Sequence, residues 1–185
     1  DPHRADCPSE FKEICGAEVV FRLICVAEGA EPEELLPEYA DILSVAVTAD
    51  IMPLKGENRS IVKDGIKKLK SAPSAGLSAI MNVAGIKCGD MNASRIAFGI
   101  APRINAAGRL GNADIAFRLL TTDNESEALK LAKRIDELNT ERRETENEIF
   151  EKAAEIIEKE SLAHRRVIVV SGKGWHPGVV GIAAA

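Results

Sequence analysis

The sequence predicts an α/β protein that is strongly helix-rich over its 185 residues. The expected parts are a mostly helical body over 1–122, one long connecting helix over 123–162, and the start of a second, α/β domain over 163–185. Three observations carry this. From Glu125 to about Glu160 the chain is rich in Glu, Lys, Ala, Leu and Ile and holds no Gly or Pro, the composition of a single very long helix. Upstream of it, apolar residues recur at helical spacing without strand alternation. Downstream, Val167-Ile-Val-Val170 is a β-branched run suited to a buried parallel strand, and Ser171-Gly-Lys-Gly174 begins a turn into the next helix.

Taken in order, Ala17 to Ala27 places Val19, Val20, Leu23, Ile24 and Ala27 on one predicted stripe, and Gly29 ends that helix. A second apolar segment runs from Leu35 to Leu54. Asn58 is a candidate N-cap for a helix lined by Val62, Ile66 and Leu69. Ser71 to Gly76 reads as a connector, and short helices are expected at Leu77 to Val83, Ala93 to Ile100 and Asp114 to Leu120. The long helix carries two apolar groups, Leu129, Ala132, Ile135 and Leu138, then Ile149, Ala153, Ile156 and Ile157. The polar stretch between them is expected to span water, which makes the helix a bridge between two bodies rather than a coiled coil.

Composition narrows the function classes. With 45% apolar residues the chain can fill a core, so global disorder is not expected. A net charge of −5 argues against indiscriminate nucleic-acid binding but leaves room for a local basic groove. No apolar run approaches the length of a membrane span and the start, Asp1-Pro-His-Arg, is not a signal peptide, so a cytoplasmic protein without a membrane partner is expected. Cys7, Cys15, Cys25 and Cys88 form no Cys-x-x-Cys pair and indicate neither a zinc knuckle nor a disulfide framework. The opening Asp-Pro and the close at Gly181-Ile-Ala-Ala-Ala185 predict a fragment of a longer protein.

Two motifs look like halves of a site for a phosphate backbone. The first is the loop-like run Ala101-Pro-Arg-Ile-Asn-Ala-Ala-Gly-Arg109. Arg103 and Arg109 can make forked bonds to phosphate, Asn105 can donate beside them, and Gly108 allows close backbone approach or a positive φ. A lone arginine more often pins a loop through a carboxylate, but two bracketing Asn-Ala-Ala-Gly tip the balance. The second is Gly174-Trp-His-Pro-Gly-Val-Val-Gly181, where Pro177 suits a first helical turn, the amides near Gly178 can attract phosphate, and His176 can hydrogen-bond or stack. Trp175 is placed to stack on a base or to pack on the long helix. His3 and His164 are read without chemistry, and Arg142, Arg143, Arg165 and Arg166 as a solvated face first and a set of DNA contacts second. Asp50 is a single carboxylate inside Val45-Ala-Val-Thr-Ala-Asp-Ile-Met-Pro-Leu54, and burial there requires a metal, a cation or several donors. On residues alone a salt-bridged or capping role is favoured.

Thr48-Ala-Asp-Ile-Met-Pro-Leu54 with Glu57-Asn-Arg59, then Pro102 to Arg109, then Gly174 to Gly181, resemble in order and separation the RecJ family of single-stranded-DNA-specific 5′ to 3′ exonucleases, within the DHH phosphoesterase superfamily. His3-Arg4, Asp6-Cys7 and Phe11-Lys12 extend the resemblance across essentially the whole chain. The Asp-His-His triplet and the N-terminal metal-binding aspartates of that family are not in this sequence, so the chain by itself is expected to be inactive.

The resemblance implies the C-terminal part of a DHH domain, the connecting helix and the start of a DHH-associated domain. It makes Asp50 a catalytic metal ligand for Mn²⁺, or Mg²⁺ in its place, at a site of two ions whose other ligands lie elsewhere; such a pair activates water and stabilises the leaving oxygen. It places Arg103, Asn105, Gly108, Arg109, His176 and Gly178 on the terminal nucleotide or its phosphate, while Arg59 either joins them or braces the metal loop. The implied partners are single-stranded DNA and, on the protein side, a single-stranded-DNA-binding protein or a helicase, acting with a monomeric enzyme in recombination and repair. Two rivals are a phosphodiesterase for short oligonucleotides or cyclic dinucleotides, and a non-catalytic replication scaffold. The long bridge and the Pro102 to Arg109 run favour the exonuclease over the first, and retention of Asp50 argues against the second.

Overall fold

Helix α1 (Gly16–Glu28) stops at Gly29, whose φ of 63° turns the chain. The computed structural model describes residues 2–111 and 113–184, and these form nine α-helices and no strand. The face that α1 buries is not the predicted stripe. Val19, Val20, Leu23 and Ala27 are exposed and Ile24 is half-buried, whereas Glu18, Phe21 and Cys25 are buried. Phe21 is the largest apolar group of the segment, and its ring meets that of Tyr39 at 5.8 Å between centroids. Rolling the helix to seat this ring leaves the smaller valines outside.

Helix α2 (Pro32–Ala49) starts on a proline that needs no donor there, and lies antiparallel to α3 (Gly56–Ser71). With α1 they enclose one apolar cluster that includes Cys15, Phe21, Leu43, Val47, Ile61 and Val62. Cys15 and Cys25 behave as small hydrophobes in it, and burial pushes the Cys15 thiol above its usual range. Asn58 is not the N-cap of α3. That position is Lys55, and Asn58 lies one turn inside, fully buried. Its amide donates to the Glu13 carbonyl at 2.7 Å and the Pro53 carbonyl at 3.0 Å, bonds that a cap could not reach.

The larger cluster is built by α4 (Ala75–Val83), α6 (Ala101–Arg109), α7 (Ala113–Thr121) and the first half of α8 (Glu125–Lys159), with Val45 of α2 and Leu69 of α3, while α5 (Ala93–Arg95) lends it no buried residue. A π-helical turn, Ile96–Ile100, joins α5 to α6 without a break. The Pro102 to Arg109 run expected as a loop is therefore a helix. Pro102 sits in the first turn, where its missing N–H costs nothing, and Ala106 and Ala107 bury themselves in the core.

Helix α8 runs 35 residues from its N-cap Asn124, whose side chain accepts from the Glu127 N–H. Ala128, Ala132, Ile135, Leu138 and Ile149 are buried, and Ala153, Ile156 and Ile157 are half-buried. Its middle does not simply span water. Asn139 is only 5% exposed, and Arg142, with a side chain 12% exposed, pairs with Glu146 at 2.7 Å. Helices α6 and α9 (Pro177–Ala183) both pack against α8. The strand expected at Val167 to Val170 does not form, and Val167 and Val169 are exposed. A parallel strand exists only through a partner's hydrogen bonds, and none of the described residues supplies one. No helix among the described residues is long and apolar enough to cross a membrane.

Candidate nucleic-acid and metal site

Asp50 caps the C-terminus of α2 and is exposed, which overturns the expectation that its carboxylate is drawn into an apolar environment. The apolar residues before it belong to a helix that ends at Ala49, so the chain turns outward at the carboxylate. The next residue, Ile51, adopts φ 57°, a left-handed conformation that β-branched residues rarely hold. Among the described residues Asp50 makes no side-chain hydrogen bond or ion pair, so both oxygens are open. The loop is held from beneath by Asn58, which ties Pro53 to Glu13.

On α6, helical periodicity sorts the motif into two faces. Arg103 faces α8: Nε donates to Asp136 at 2.8 Å and Nη1 to the Gly99 carbonyl at 2.6 Å. Its guanidinium therefore pins α6 to the long helix, the structural role weighed against phosphate binding. Asn105 and Arg109, four residues apart, share the outward face and are both exposed. Gly108 is also exposed and helical rather than at positive φ, and a Cβ there would meet nothing within 4 Å.

At α9, His176 is the N-cap. Its Nδ1 accepts from the Gly178 N–H at 3.1 Å, which places the imidazole proton on Nε2. The Val179 and Val180 amides both donate to the His176 carbonyl, and Pro177 has none. The first-turn amides expected to attract phosphate are thus already engaged within the turn, leaving His176 Nε2 as the donor this turn can offer. Trp175 does not stand free to stack: its ring lies against Gly172 of its own turn, where a Cβ would come within 2.2 Å of it.

The three motifs nevertheless meet. A cleft of about 480 Å³ lies between the Asp50 loop and the start of α6, with Thr48, Ile51, Met52, Pro102 and Asn105 among its walls. At the other end of α6, Arg109 Nη1 donates to the Gly178 carbonyl at 3.0 Å. Helix α6 joins the carboxylate loop at one end to the His176 turn at the other. Arg59 is exposed on α3 and lines, with Lys63 and Lys67, a groove that shares Leu54 and Ala93 with this cleft, while Glu57 pairs with Arg22. Asn58 ties the loop at Pro53.

Sequence reasoning names Asn58 only as a cap, and misses Asn139 and Phe98. A buried asparagine inside a charged stretch carries no sequence signature. Phe98, exposed on the π-helical turn beside the cleft, reads in the sequence as one more core residue of a short helix.

No protein-family model matches the chain. It is similar from end to end to the single-stranded-DNA-specific exonuclease RecJ of Bacillus subtilis, 38% identical over 184 residues, all of this chain and 23% of that protein. RecJ of Thermus thermophilus is 37% identical over 99% of this chain and 26% of its own length. RecJ of Escherichia coli is 31% identical over the whole chain and 35% of its own length. The crystal structure of Thermus thermophilus RecJ in complex with Mn²⁺ superposes with a TM-score of 0.81 at 36% identity, covering 97% of this chain and 26% of that one. Its complex with Mg²⁺ gives the same TM-score over 96% and 27%. The chain spans roughly a quarter to a third of the length of these curated relatives.

Proposed function

We propose that this chain is an internal segment of a divalent-metal-dependent exonuclease of the RecJ family, which degrades single-stranded DNA from the 5′ end to nucleoside 5′-monophosphates in recombination and repair. In this reading residues 1–122 are the helical C-terminal part of a DHH catalytic domain, 123–162 the interdomain helix and 163–185 the start of the DHH-associated domain. The complete protein acts as a cytoplasmic monomer, supplied with single strands by a single-stranded-DNA-binding protein or a helicase.

The placement of α6 is the observation that carries this. It sets Asn105 beside the Asp50 loop and Arg109 against the His176 turn, so residues far apart in sequence line one path for a phosphate backbone. Asn105 and Arg109 are separated by about 6 Å along the axis at 1.5 Å per residue. Both can address the same strand.

A metal fits Asp50 as one ligand. The carboxylate is exposed and unpaired among the described residues, a hard oxygen donor of the kind Mn²⁺ and Mg²⁺ prefer. No group of three or more His, Cys, Asp or Glu among the described residues is placed to complete a site. Asp50 is therefore one member of a larger set. When bound, two such ions stabilise charge on the entering and leaving oxygens of an in-line phosphoryl displacement. The work of this chain's own residues is positional. Arg109, with Asn105, Gly108 and Gly178 along the same path, holds the strand by its phosphates. His176 offers Nε2–H at the far end, and Arg103 keeps α6 at a fixed height on α8 through Asp136.

The test is digestion by the full-length protein with Mn²⁺ of a single strand labelled at one end or the other, beside the matching duplex. The reading requires the 5′ label to leave first as a mononucleotide and the duplex to persist. First release of the 3′ label, or equal digestion of the duplex, would refute it.

A further inference from the structure

The cleft beside the Asp50 loop has mostly apolar walls, among them Ile51, Met52, Leu54 and Phe98. We propose that Phe98 and Ile51 form a stacking slot for the 5′-terminal base of the strand, a site that selects unpaired bases. This rests on the exonuclease reading and names the part of the substrate that its apolar surface takes.

Phe98 is 82% exposed and Ile51 88% exposed, and both border the same cleft of about 480 Å³, within the range of small-ligand sites. Both are apolar, and both stand on the one cleft that adjoins a candidate metal ligand among the described residues. Each also sits on irregular backbone. Ile51 holds φ 57°, and Phe98 lies within the π-helical turn Ile96–Ile100, a type of turn that gathers at functional sites. Small residues, Ala93, Ala97 and Ala101, line the same cleft.

The recognising chemistry is that of a nucleobase. An aromatic face stacks on any base, because every base has a π-face, and this gives affinity without sequence preference. A base within a duplex is already paired and stacked on its neighbours and cannot enter. Ile51 follows Asp50 directly in the chain, so a base held in the slot lies beside the carboxylate loop.

The experiment is a two-way comparison in the full-length protein in EDTA, read by fluorescence anisotropy. Phe98→Ala, Phe98→Leu and Phe98→Trp are each measured on a single strand with an intact 5′-terminal nucleotide and on the same strand with an abasic one. Phe98→Ala should weaken binding of the intact strand by about tenfold and leave binding of the abasic-ended strand unchanged. Phe98→Trp should retain affinity and Phe98→Leu should not, because stacking needs a ring and packing needs only volume. Equal losses on both strands, no loss at all, or rescue by leucine would each overturn the slot. All three variants should melt like the parent, and a lowered melting temperature would assign the residue to packing instead. Binding is read without hydrolysis, so the outcomes separate. Base coupling in a protein that digests no DNA overturns the exonuclease reading alone, and digestion without base coupling overturns the slot alone.

Discussion

Arg109 donates to the carbonyl of Gly178 at 3.0 Å, and a Cβ added to Gly178 would stand 2.6 Å from the Arg109 carbonyl oxygen. The end of α6 and the start of α9 thus touch backbone to backbone, and glycine is what lets them. Two motifs separated by the whole length of α8 are joined at this point.

Gly178→Ala should force the two helices apart. Relief requires the backbone to shift, since the obstructing atom is not the end of a flexible side chain. The expected cost is about 1–3 kcal/mol, typical of overpacking. Urea denaturation measures it, and an unchanged midpoint would show that the two helices do not meet in solution.

Arg103 and Arg109 should part ways when each is replaced by alanine in the full-length protein. Arg109→Ala should flatten the salt dependence of single-strand binding, lowering the log–log slope by about 0.7 for each phosphate that the guanidinium neutralises. Arg103→Ala should leave the slope near its parent value and lower thermal stability, as should Asp136→Ala, because the guanidinium is already engaged by Asp136 and Gly99. The reverse pattern would mean that the ion pair opens to receive DNA.

Much of the fold is legible in the sequence because it depends on local chemistry. Helix α8 shows itself as a long run without Gly or Pro, the stop at Gly29 needs only a left-handed residue, and Pro177 marks the start of α9. What is not legible depends on distant partners. Which face of α1 is buried is decided by Tyr39 on α2, and Val167 to Val170 needs a neighbouring strand to become one. At the site, the residue types of the three motifs can be read, but their division of labour cannot. Arg103 and Arg109 look equivalent as letters, and only the helical phase of α6 turns one toward Asp136 and the other outward. Asp50 departs from expectation for a related reason: an apolar run suggests a buried environment, yet the carboxylate falls at the point where the helix ends.

Asn58→Ala should loosen the Asp50 loop. Its amide satisfies the carbonyls of Glu13 and Pro53, and removing a buried donor of this kind costs about 1–3 kcal/mol. Hydrogen exchange should quicken at residues 50–55 more than in α4 or α8. Uniform quickening throughout the chain would argue for a general stability role instead.

The start of α8 should respond to acid. The Arg118 guanidinium, and after it the Thr122 hydroxyl, hold the Glu127 carboxyl below the ordinary glutamate value of 4.5. A folded value that is depressed contributes stability above pH 4.5, and that contribution is lost as pH falls through the lower folded value. An NMR titration of Glu127 should show a midpoint below 4.5 that returns toward 4.5 in Arg118→Ala. The same midpoint in both proteins would remove Arg118 as the cause.

Above all, the exposed carboxylate of Asp50 should serve a divalent cation. The direct measurement is Asp50→Ala in the full-length protein, comparing Mn²⁺-dependent digestion of single strands with strand affinity in EDTA. Digestion should be abolished while affinity stays within about twofold of the parent, since a hard-cation ligand contributes nothing when the metal is chelated. Full digestion by the variant would contradict the assignment.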